Sequence, residues 1–210
     1  MNPGPRRLRS VAVALCAATV FVALALSYPA LTPAENQFAA LLHEHLGPGL
    51  LQAALAITWF GNFMTLVAVG LLVAAALVLR RQWLDLATWV ATTFGNGLLN
   101  RLLKLWFERP RPLHEPGLVL EASHSFPSGH ASGALAVYGL LGWLIAQQLS
   151  QPARQPLLLA TAALILLIGC SRVLLQVHYS SDVLAGYASA TVWLTLCLAA
   201  SERWRPRPVC

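Results

Sequence analysis

Charged residues are scarce in this sequence. They make up 10% of its 210 residues, whereas a soluble domain carries about 25%. Lysine occurs once, at Lys104, and aspartate twice, at Asp85 and Asp182. With so little charge, most of the chain cannot face water, so a soluble globular protein is excluded.

Cysteine motifs are missing as well. The four cysteines form no C-x-x-C pair, so neither a disulfide framework nor a zinc site is indicated. The net charge of +6 does not indicate a nucleic-acid partner, because the arginines lie in short clusters between apolar runs. Without a repeat array, a low-complexity segment or a second domain pattern, residues 1–210 are expected to form one membrane-embedded domain.

Long apolar runs are what the sequence does contain. Hydrophobic residues make up 57% of the chain, and a helix that spans a bilayer needs about 20 mostly apolar residues. The apolar stretch at 50–60 is too short to span and is predicted to be an interfacial or packed helix. We predict an all-α, polytopic membrane protein, a bundle of six transmembrane helices at about 11–29, 61–79, 84–103, 128–149, 156–174 and 182–200.

The first apolar run has an alternative interpretation. Arg6, Arg7 and Arg9 precede it and small residues follow it, which resembles a secretory signal peptide. The run is long for the apolar core of a signal peptide, so we favour a span that stays in the protein.

Arginine clusters predict the orientation of the bundle. Arg80 and Arg81 follow the second predicted span, Arg154 follows the fourth, and other arginines precede the first and follow the sixth. Because cytoplasmic loops are rich in Lys and Arg, we predict cytoplasmic termini for this protein in the inner (plasma) membrane. The other end of the bundle would then lie on the periplasmic or extracytoplasmic side.

A histidine and an aspartate precede the sixth predicted span. His178 and Asp182 are four residues apart, so they would share one helical face if the helix extended back to His178. A carboxylate that binds one imidazole nitrogen leaves the other nitrogen as a free lone pair. Such a histidine is a candidate nucleophile, although a boundary histidine beside a helix-capping aspartate would look the same.

The start of the fourth predicted span is a candidate anion site. Pro127, Ser128, Gly129 and His130 stand there in sequence. Gly129 would allow a ligand to approach the backbone, and N–H groups at a helix start favour an anion. Ser128 would add a hydroxyl and His130 a proton donor. Ordinary helix capping is the alternative.

Several cations lie on the predicted outer side, against the topology rule. They are Arg101, Lys104, Arg109, Arg111 and Arg172. Anion binding would explain them, and the alternative is that they are boundary cations whose charged ends snorkel toward water. An arginine binds two phosphate oxygens at once, and a lysine acts as a point charge. Together, Lys104, Arg111 and Arg172 would supply the positive charge that Mg²⁺ supplies in other phosphoryl-transfer enzymes. We therefore expect neither a metal nor another cofactor.

The three clusters together resemble a known family. K-x6-RP from Lys104, then PSGH, then SR-x5-H-x3-D ending at Asp182 is similar to the signature of the type 2 phosphatidic acid phosphatase family. The motifs, within residues 104–182, are complete and in order. One departure is Ser180, where many members have proline, which we expect to alter the turn but not the chemistry.

That resemblance implies a role for each motif residue. His178 would attack phosphorus and become phosphohistidine, Asp182 would orient it, and His130 would protonate the leaving oxygen. Water would then hydrolyse the intermediate, without metal. The residues implied to hold the phosphate are Lys104, Arg111, Ser128, Gly129 and Arg172.

The substrate class follows from the resemblance and the predicted depth of the site. We expect a lipid phosphate partner: phosphatidylglycerol phosphate, phosphatidate, diacylglycerol pyrophosphate or undecaprenyl pyrophosphate. His124, in the same loop as His130, is a candidate substrate contact. The sequence leaves the oligomeric state open.

Three other functions are alternatives for this sequence. A non-catalytic lipid-phosphate binding or carrier protein on the same bundle is the main alternative, but binding would not need both histidines and Asp182. Vanadate-dependent haloperoxidases use similar residues, yet they are soluble. An ion-coupled transporter would carry charges near the middle of its spans, where this sequence has none.

Overall fold

The computed structural model describes residues 5–112 and 123–204, apart from the side chains of residues 5–7 and of His43. Within these ranges the chain is helical and has no β-strand, which confirms the predicted all-α class. The helices are α1 (Pro5–His45), α2 (Pro48–Thr58), α3 (Phe63–Leu79), α4 (Trp83–Phe107), α5 (Gly129–Ala134), α6 (Leu140–Ala146), α7 (Gln151–Leu174) and α8 (Ser180–Glu202). A short 3₁₀ turn (Trp59–Gly61) links α2 to α3, and a π-helical turn (Leu135–Gly139) links α5 to α6.

The number of strongly apolar helices is smaller than the six predicted spans. Among the residues described, α1, the α5–α6 segment, α7 and α8 are long and apolar enough to cross a bilayer. The pair α2 and α3, bent by 41°, makes a fifth if it is one span. The third predicted span forms as α4, which is long enough at 25 residues but carries buried Thr and Asn side chains. These polar residues face the bundle rather than lipid.

Helix α1 is much longer than its predicted span. The prediction ended at residue 29, but the helix continues through Pro29 and Pro33 to His45. Proline usually ends a helix. Here the second half of α1 is held in place because Glu35 binds groups at the start of α8. Tertiary contacts therefore override the local preference.

Helix α8 lies at the centre of the bundle. Helices α1, α4 and α5 all pack against it. At Gly186, a Cβ atom would stand 2.6 Å from the carbonyl oxygen of Ser128. The missing side chain therefore allows the start of α5 to touch α8, and the Ser128 N–H donates to the Asp182 carbonyl at 2.9 Å.

Helix α2 confirms the packed helix that the short apolar stretch predicted. Its Ala54 packs with Leu175 and Val177, just after α7. The Thr58 hydroxyl at its end accepts a hydrogen bond from Arg172 at 2.7 Å. Helix α2 thus covers the end of the bundle where α4 and α7 finish and α5 and α8 begin.

Candidate active site

The predicted site residues converge at this end of the bundle. Lys104 lies in the last turn of α4 and Arg172 in the last turn of α7. Ser128 is the N-cap of α5, and His178 lies two residues before α8. Antiparallel packing brings the carboxyl ends of two helices to the amino ends of two others, so residues far apart in sequence meet.

His178 is not in a helix, which corrects one expectation. Helix α8 begins at Ser180, so His178 and Asp182 do not share a helical face. They still meet, with 3.4 Å between His178 Nδ1 and Asp182 Oδ2. The loop reverses at Gln176, whose φ is 56°, and the His178 N–H donates to the Arg172 carbonyl at 3.3 Å. The chain reversal places the imidazole over Asp182.

The second ring nitrogen of His178 lies beside the cations. Its Nε2 accepts a hydrogen bond from Arg111 Nη1 at 3.3 Å, and only 3% of the residue is exposed. Burial lowers the pKa of His178 to about 4; Arg111 and Lys104 also lower it, whereas Asp182 raises it. The imidazole is therefore neutral near pH 7 and keeps the lone pair that a nucleophile requires.

Asp182 is fully buried and bound at both carboxylate oxygens. Its Oδ1 accepts from Arg109 at 2.6 Å. Its Oδ2 accepts from the Tyr179 backbone N–H at 2.9 Å and from the Ser125 hydroxyl. A carboxylate held on both sides cannot turn away, so it fixes the orientation of the His178 ring.

Arg109 has a different position from the one the sequence suggested. The sequence predicts that Arg109 helps to bind an anion. In the structure its guanidinium is bound by two carboxylates, Asp182 at 2.6 Å and Glu35 at 2.8 Å. It also lies against the Tyr28 and Tyr179 rings, at 4.8 and 4.0 Å from their centroids. Arg109 therefore braces Asp182 instead of facing a ligand.

Glu35 and Ser125 were missed by sequence reasoning. Glu35 accepts from the Ser181 N–H at 2.8 Å and from its hydroxyl at 2.9 Å. No sequence pattern links Glu35 to residues almost 150 positions away. Ser125, three residues before Ser128, had the stronger signal: it is a polar residue in the segment between two motifs.

Lys104 and Arg111 flank His178. Arg111 donates to the Val177 carbonyl at 2.6 Å and to the Ser123 carbonyl at 2.8 Å. Lys104 Nζ donates to the carbonyl of His124. Both cations are held by backbone oxygens, which orders them before any ligand arrives.

Arg172 and the N-cap of α5, Ser128, are buried at the same end of the bundle. Arg172 is 1% exposed. The Ser128 hydroxyl accepts from the Ala131 N–H at 3.4 Å, as a helix cap does. A Cβ atom on Gly129 would stand 3.2 Å from Asn100 Oδ1, so glycine permits this contact.

His130 faces His178 across a deep groove. The groove has a volume of about 820 Å³ and lies between α3, α4 and the α5–α6 segment. His130, His178, Lys104 and Arg111 line its polar end. Gly61 packs on the His130 ring, because a Cβ atom there would stand 3.0 Å from His130 Cδ2.

The rest of the groove is apolar and opens sideways. Phe63 and Leu71 on α3 and Phe94 on α4 line it, and each is more than two-thirds exposed on the bundle surface. It runs along α3 from Phe63 to Ala74, about 16 Å at 1.5 Å per residue. The Trp89 indole also lines the groove and donates to the Gly70 carbonyl at 3.0 Å.

His124 is placed beside the site rather than in the groove. Its Nδ1 lies 3.1 Å from the Lys104 carbonyl. With its own carbonyl bound by Lys104 Nζ, His124 ties the segment before α5 to the end of α4. A role in substrate contact stays a prediction.

The described residues contain no cluster of three or more His, Cys, Asp or Glu that could hold a metal ion. Cations lie beside the two histidines of the groove, and the carboxylates of buried Asp182 and partly buried Glu35 are bound by Arg109. The arrangement as it stands suits an anion.

Two known phosphatases are similar to this chain in sequence. Phosphatidylglycerophosphatase B of Bacillus subtilis (strain 168) is 32% identical over 143 residues, covering 67% of this chain and 70% of that protein. Decaprenylphosphoryl-5-phosphoribose phosphatase of Mycobacterium tuberculosis (strain CDC 1551 / Oshkosh) is 32% identical over 167 residues, covering 76% and 86%.

A solved structure matches over nearly the whole chain. It is the crystal structure of a transmembrane PAP2-type phosphatidylglycerolphosphate phosphatase from Bacillus subtilis, 27% identical, with a TM-score of 0.83. The match covers 91% of this chain and 97% of that one. The likeness and the apolar helices identify a multi-pass membrane protein. The family model of the PAP2 superfamily matches residues 82–206, and the chain therefore belongs to that superfamily.

Proposed function

We propose that this protein is an integral-membrane lipid phosphatase that hydrolyses a phosphate or pyrophosphate monoester through a phosphohistidine at His178, without a metal ion. The observation that carries the proposal is the position of His178. Asp182 holds one nitrogen of its ring, and the other lies beside Arg111 at the polar end of an apolar groove.

The first step forms the phosphohistidine. The Nε2 lone pair of neutral His178 attacks phosphorus, and the bond from phosphorus to the lipid oxygen breaks. Lys104, Arg111 and Arg172 stabilise the charge on the phosphoryl oxygens. His130 gives a proton to the leaving oxygen, a contribution of about 10²–10⁴ for a general acid.

The second step restores the enzyme. Water attacks phosphorus, the bond from phosphorus to His178 Nε2 breaks, and His130 takes the water proton. Asp182 stabilises the positive charge that the imidazole carries in the intermediate. From a phosphate monoester the products are the dephosphorylated lipid and inorganic phosphate. From a lipid pyrophosphate the bond from phosphorus to the bridging oxygen breaks instead, and the products are the lipid monophosphate and inorganic phosphate.

A lipid substrate is supported by the shape of the groove. Its depth of about 16 Å equals about half of the 30 Å hydrocarbon core of a bilayer. A lipid from one leaflet could thus place its head group at His178 and its chains among the residues of α3 and α4. The names of both curated relatives describe phosphatases of lipid phosphates.

The orientation is part of the same proposal. Arg80, Arg81, Arg154 and Arg203 lie at helix ends opposite the site. By the positive-inside rule that end is cytoplasmic, which puts the site on the periplasmic or extracytoplasmic side of the inner membrane. A reporter fused to the C-terminus, active only in the cytoplasm, tests this.

The activity is tested by phosphate release in EDTA from the four candidate lipids, with wild type and His178→Ala compared side by side. We expect release by wild type and a loss of at least about 10³-fold in the variant, since the nucleophile is gone. Lipid labelled on its phosphate should also label the wild-type protein with an acid-labile phosphohistidine.

His45→Ala is the matched control, because His45 is exposed on α1 and binds only the Leu41 carbonyl. Strict dependence on added metal would contradict the mechanism. If the folded protein binds these lipids but releases no phosphate, a lipid-phosphate binding protein is the better conclusion.

A further inference from the structure

One buried polar side chain faces the apolar part of the groove. Asn96, on α4, lines the groove and is only 3% exposed. The opposite wall at this level is apolar and includes Leu66 and Val67 of α3. Asparagine is unfavourable in a helix that passes through an apolar environment unless its amide is bound.

Two other polar residues of α4 that line the groove, Thr93 and Asn100, already have partners. The Thr93 hydroxyl donates to the Trp89 carbonyl at 2.9 Å. The Asn100 amide donates to the Pro127 carbonyl at 3.4 Å. No side-chain hydrogen bond joins Asn96 to any residue that the structure describes. An amide left without a partner in an apolar groove costs about 1–3 kcal/mol, so a polar group of the ligand would be stabilising here.

The depth of Asn96 indicates which group that is. Asn100 marks the phosphate level, because Asn100 Oδ1 and Lys104 Cε both lie within 4 Å of the Cβ position of Gly129. Asn96 lies one helical turn deeper, about 6 Å along the axis. In a glycerol-based lipid phosphate, the acyl ester carbonyls lie a few bonds below the phosphorus. In a polyprenyl phosphate, only hydrocarbon lies at that depth.

We infer that Asn96 donates a hydrogen bond to an acyl ester carbonyl, so that the enzyme selects diacylglycerol-based phosphates over polyprenyl phosphates. The inference rests on the proposed function and names its substrate class. A site that hydrogen-bonds a substrate group discriminates against analogues without that group, since its own polar atom stays unpaired.

Matched lipids isolate this contact. Dipalmitoyl phosphatidate has two ester carbonyls, whereas its dialkyl ether analogue has the same phosphate, glycerol and chain length without them. We expect wild type to prefer the ester lipid by about tenfold in kcat/KM, the equivalent of one hydrogen bond of about 1.4 kcal/mol. Undecaprenyl phosphate should be hydrolysed no better than the ether lipid.

Two variants complete the experiment. Asn96→Leu keeps the side-chain volume but removes the amide, so kcat/KM for the ester lipid should fall to the value for the ether lipid, which itself should change little. Thr93→Val is the control: it removes a polar atom from the same wall that has an internal partner, and the ester preference should persist.

Equal hydrolysis of ester and ether lipids by wild type would overturn the inference, even if Asn96→Leu did not fold. An equal loss on both lipids in Asn96→Leu would overturn it too, since that indicates a structural role. A preference for undecaprenyl phosphate would overturn it while leaving the phosphatase function intact. If no lipid releases phosphate, the proposed function fails and the inference fails with it.

Discussion

At the scale of single residues, the environment of His178 determines when it can act. The ring is buried, Arg111 lies beside one nitrogen and Asp182 beside the other. Burial and the cations favour the neutral form, while Asp182 favours the charged form that arises in the intermediate. His178 is thus neutral before the reaction, and Asp182 stabilises its positive charge once it carries phosphate.

This environment predicts the pH dependence. An ordinary histidine becomes protonated below about pH 6.5, whereas the pKa of His178 is lowered to about 4. Because the group remains neutral as the pH falls from 6.5 to about 4, kcat/KM should keep its His178-dependent value in that interval and decline near pH 4. The measurement is the pH profile of kcat/KM with a lipid phosphate in detergent.

The substrate needs its own control in that profile. A phosphate monoester has a second pKa near 6, so its ionisation is followed separately by phosphorus NMR and divided out. A remaining acid limb centred near the ordinary histidine pKa would show that His178 is not the lowered group, or not the nucleophile.

At the scale of elements, α1 acts on the site through Glu35. Glu35 and Asp182 share the guanidinium of Arg109, at 2.8 and 2.6 Å. Helix α1 lies outside residues 82–206, which the family model covers. The Glu35–Arg109–Asp182 contact therefore joins the first helix to the segment that the family model covers.

Glu35→Gln tests the brace. Without the second carboxylate, Arg109 is neutralised by Asp182 alone, and Asp182 gives less support to the positive charge on His178. We expect kcat to fall about tenfold, with KM nearly unchanged, because Glu35 does not line the groove. Glu44→Gln, at an exposed position of the same helix, is the control. A rise in KM at constant kcat would contradict this role.

The contact between α5 and α8 is equally specific. A Cβ atom at Gly186 would meet the Ser128 carbonyl at 2.6 Å, and backbone cannot move away as a side chain can. Gly186→Ala should therefore push the start of α5 off α8, at a stability cost of about 1–3 kcal/mol and with a loss of activity. Thermal unfolding and phosphate release measure both effects.

Gly133→Ala is the matched control for that variant. It adds the same methyl group to the same segment, but the nearest atom, 2.7 Å away, is the tip of the flexible Leu66 side chain. We expect a smaller loss of stability and near-normal activity. Equal effects of the two substitutions would mean that the contact with Ser128 is not critical.

The sequence predicts the spans and the motif residues of these elements, but not the tertiary contacts between them. Long apolar runs predict spans because a helix that crosses a bilayer needs apolar side chains. The motifs predict the site because phosphate chemistry needs cations, hydroxyls and histidines. The continuation of α1 through Pro29 and Pro33 follows from contacts with α8, and local sequence does not encode these. For the same reason, the brace on Asp182 and the position of His178 before α8 needed the structure.

At the scale of the whole molecule, the protein is a bundle with a polar end and an apolar opening in its side. Lys104, Arg111 and the two histidines occupy the polar end, and Phe63 and Phe94 flank the opening. The phosphate group and the hydrocarbon chains of one ligand would thus meet different parts of the protein.

The sideways opening has a kinetic consequence. For a substrate that arrives through the bilayer, the concentration that sets the rate is its mole fraction among the membrane lipids, not its concentration in the buffer. Diluting the lipid phosphate with inert phospholipid at constant total substrate should therefore lower the rate, whereas diluting whole vesicles in buffer should not change the rate per enzyme. In reconstituted vesicles the Michaelis constant of the enzyme would be a mole fraction of lipid, and the lipid product, retained in the same leaflet, would compete with substrate for the groove.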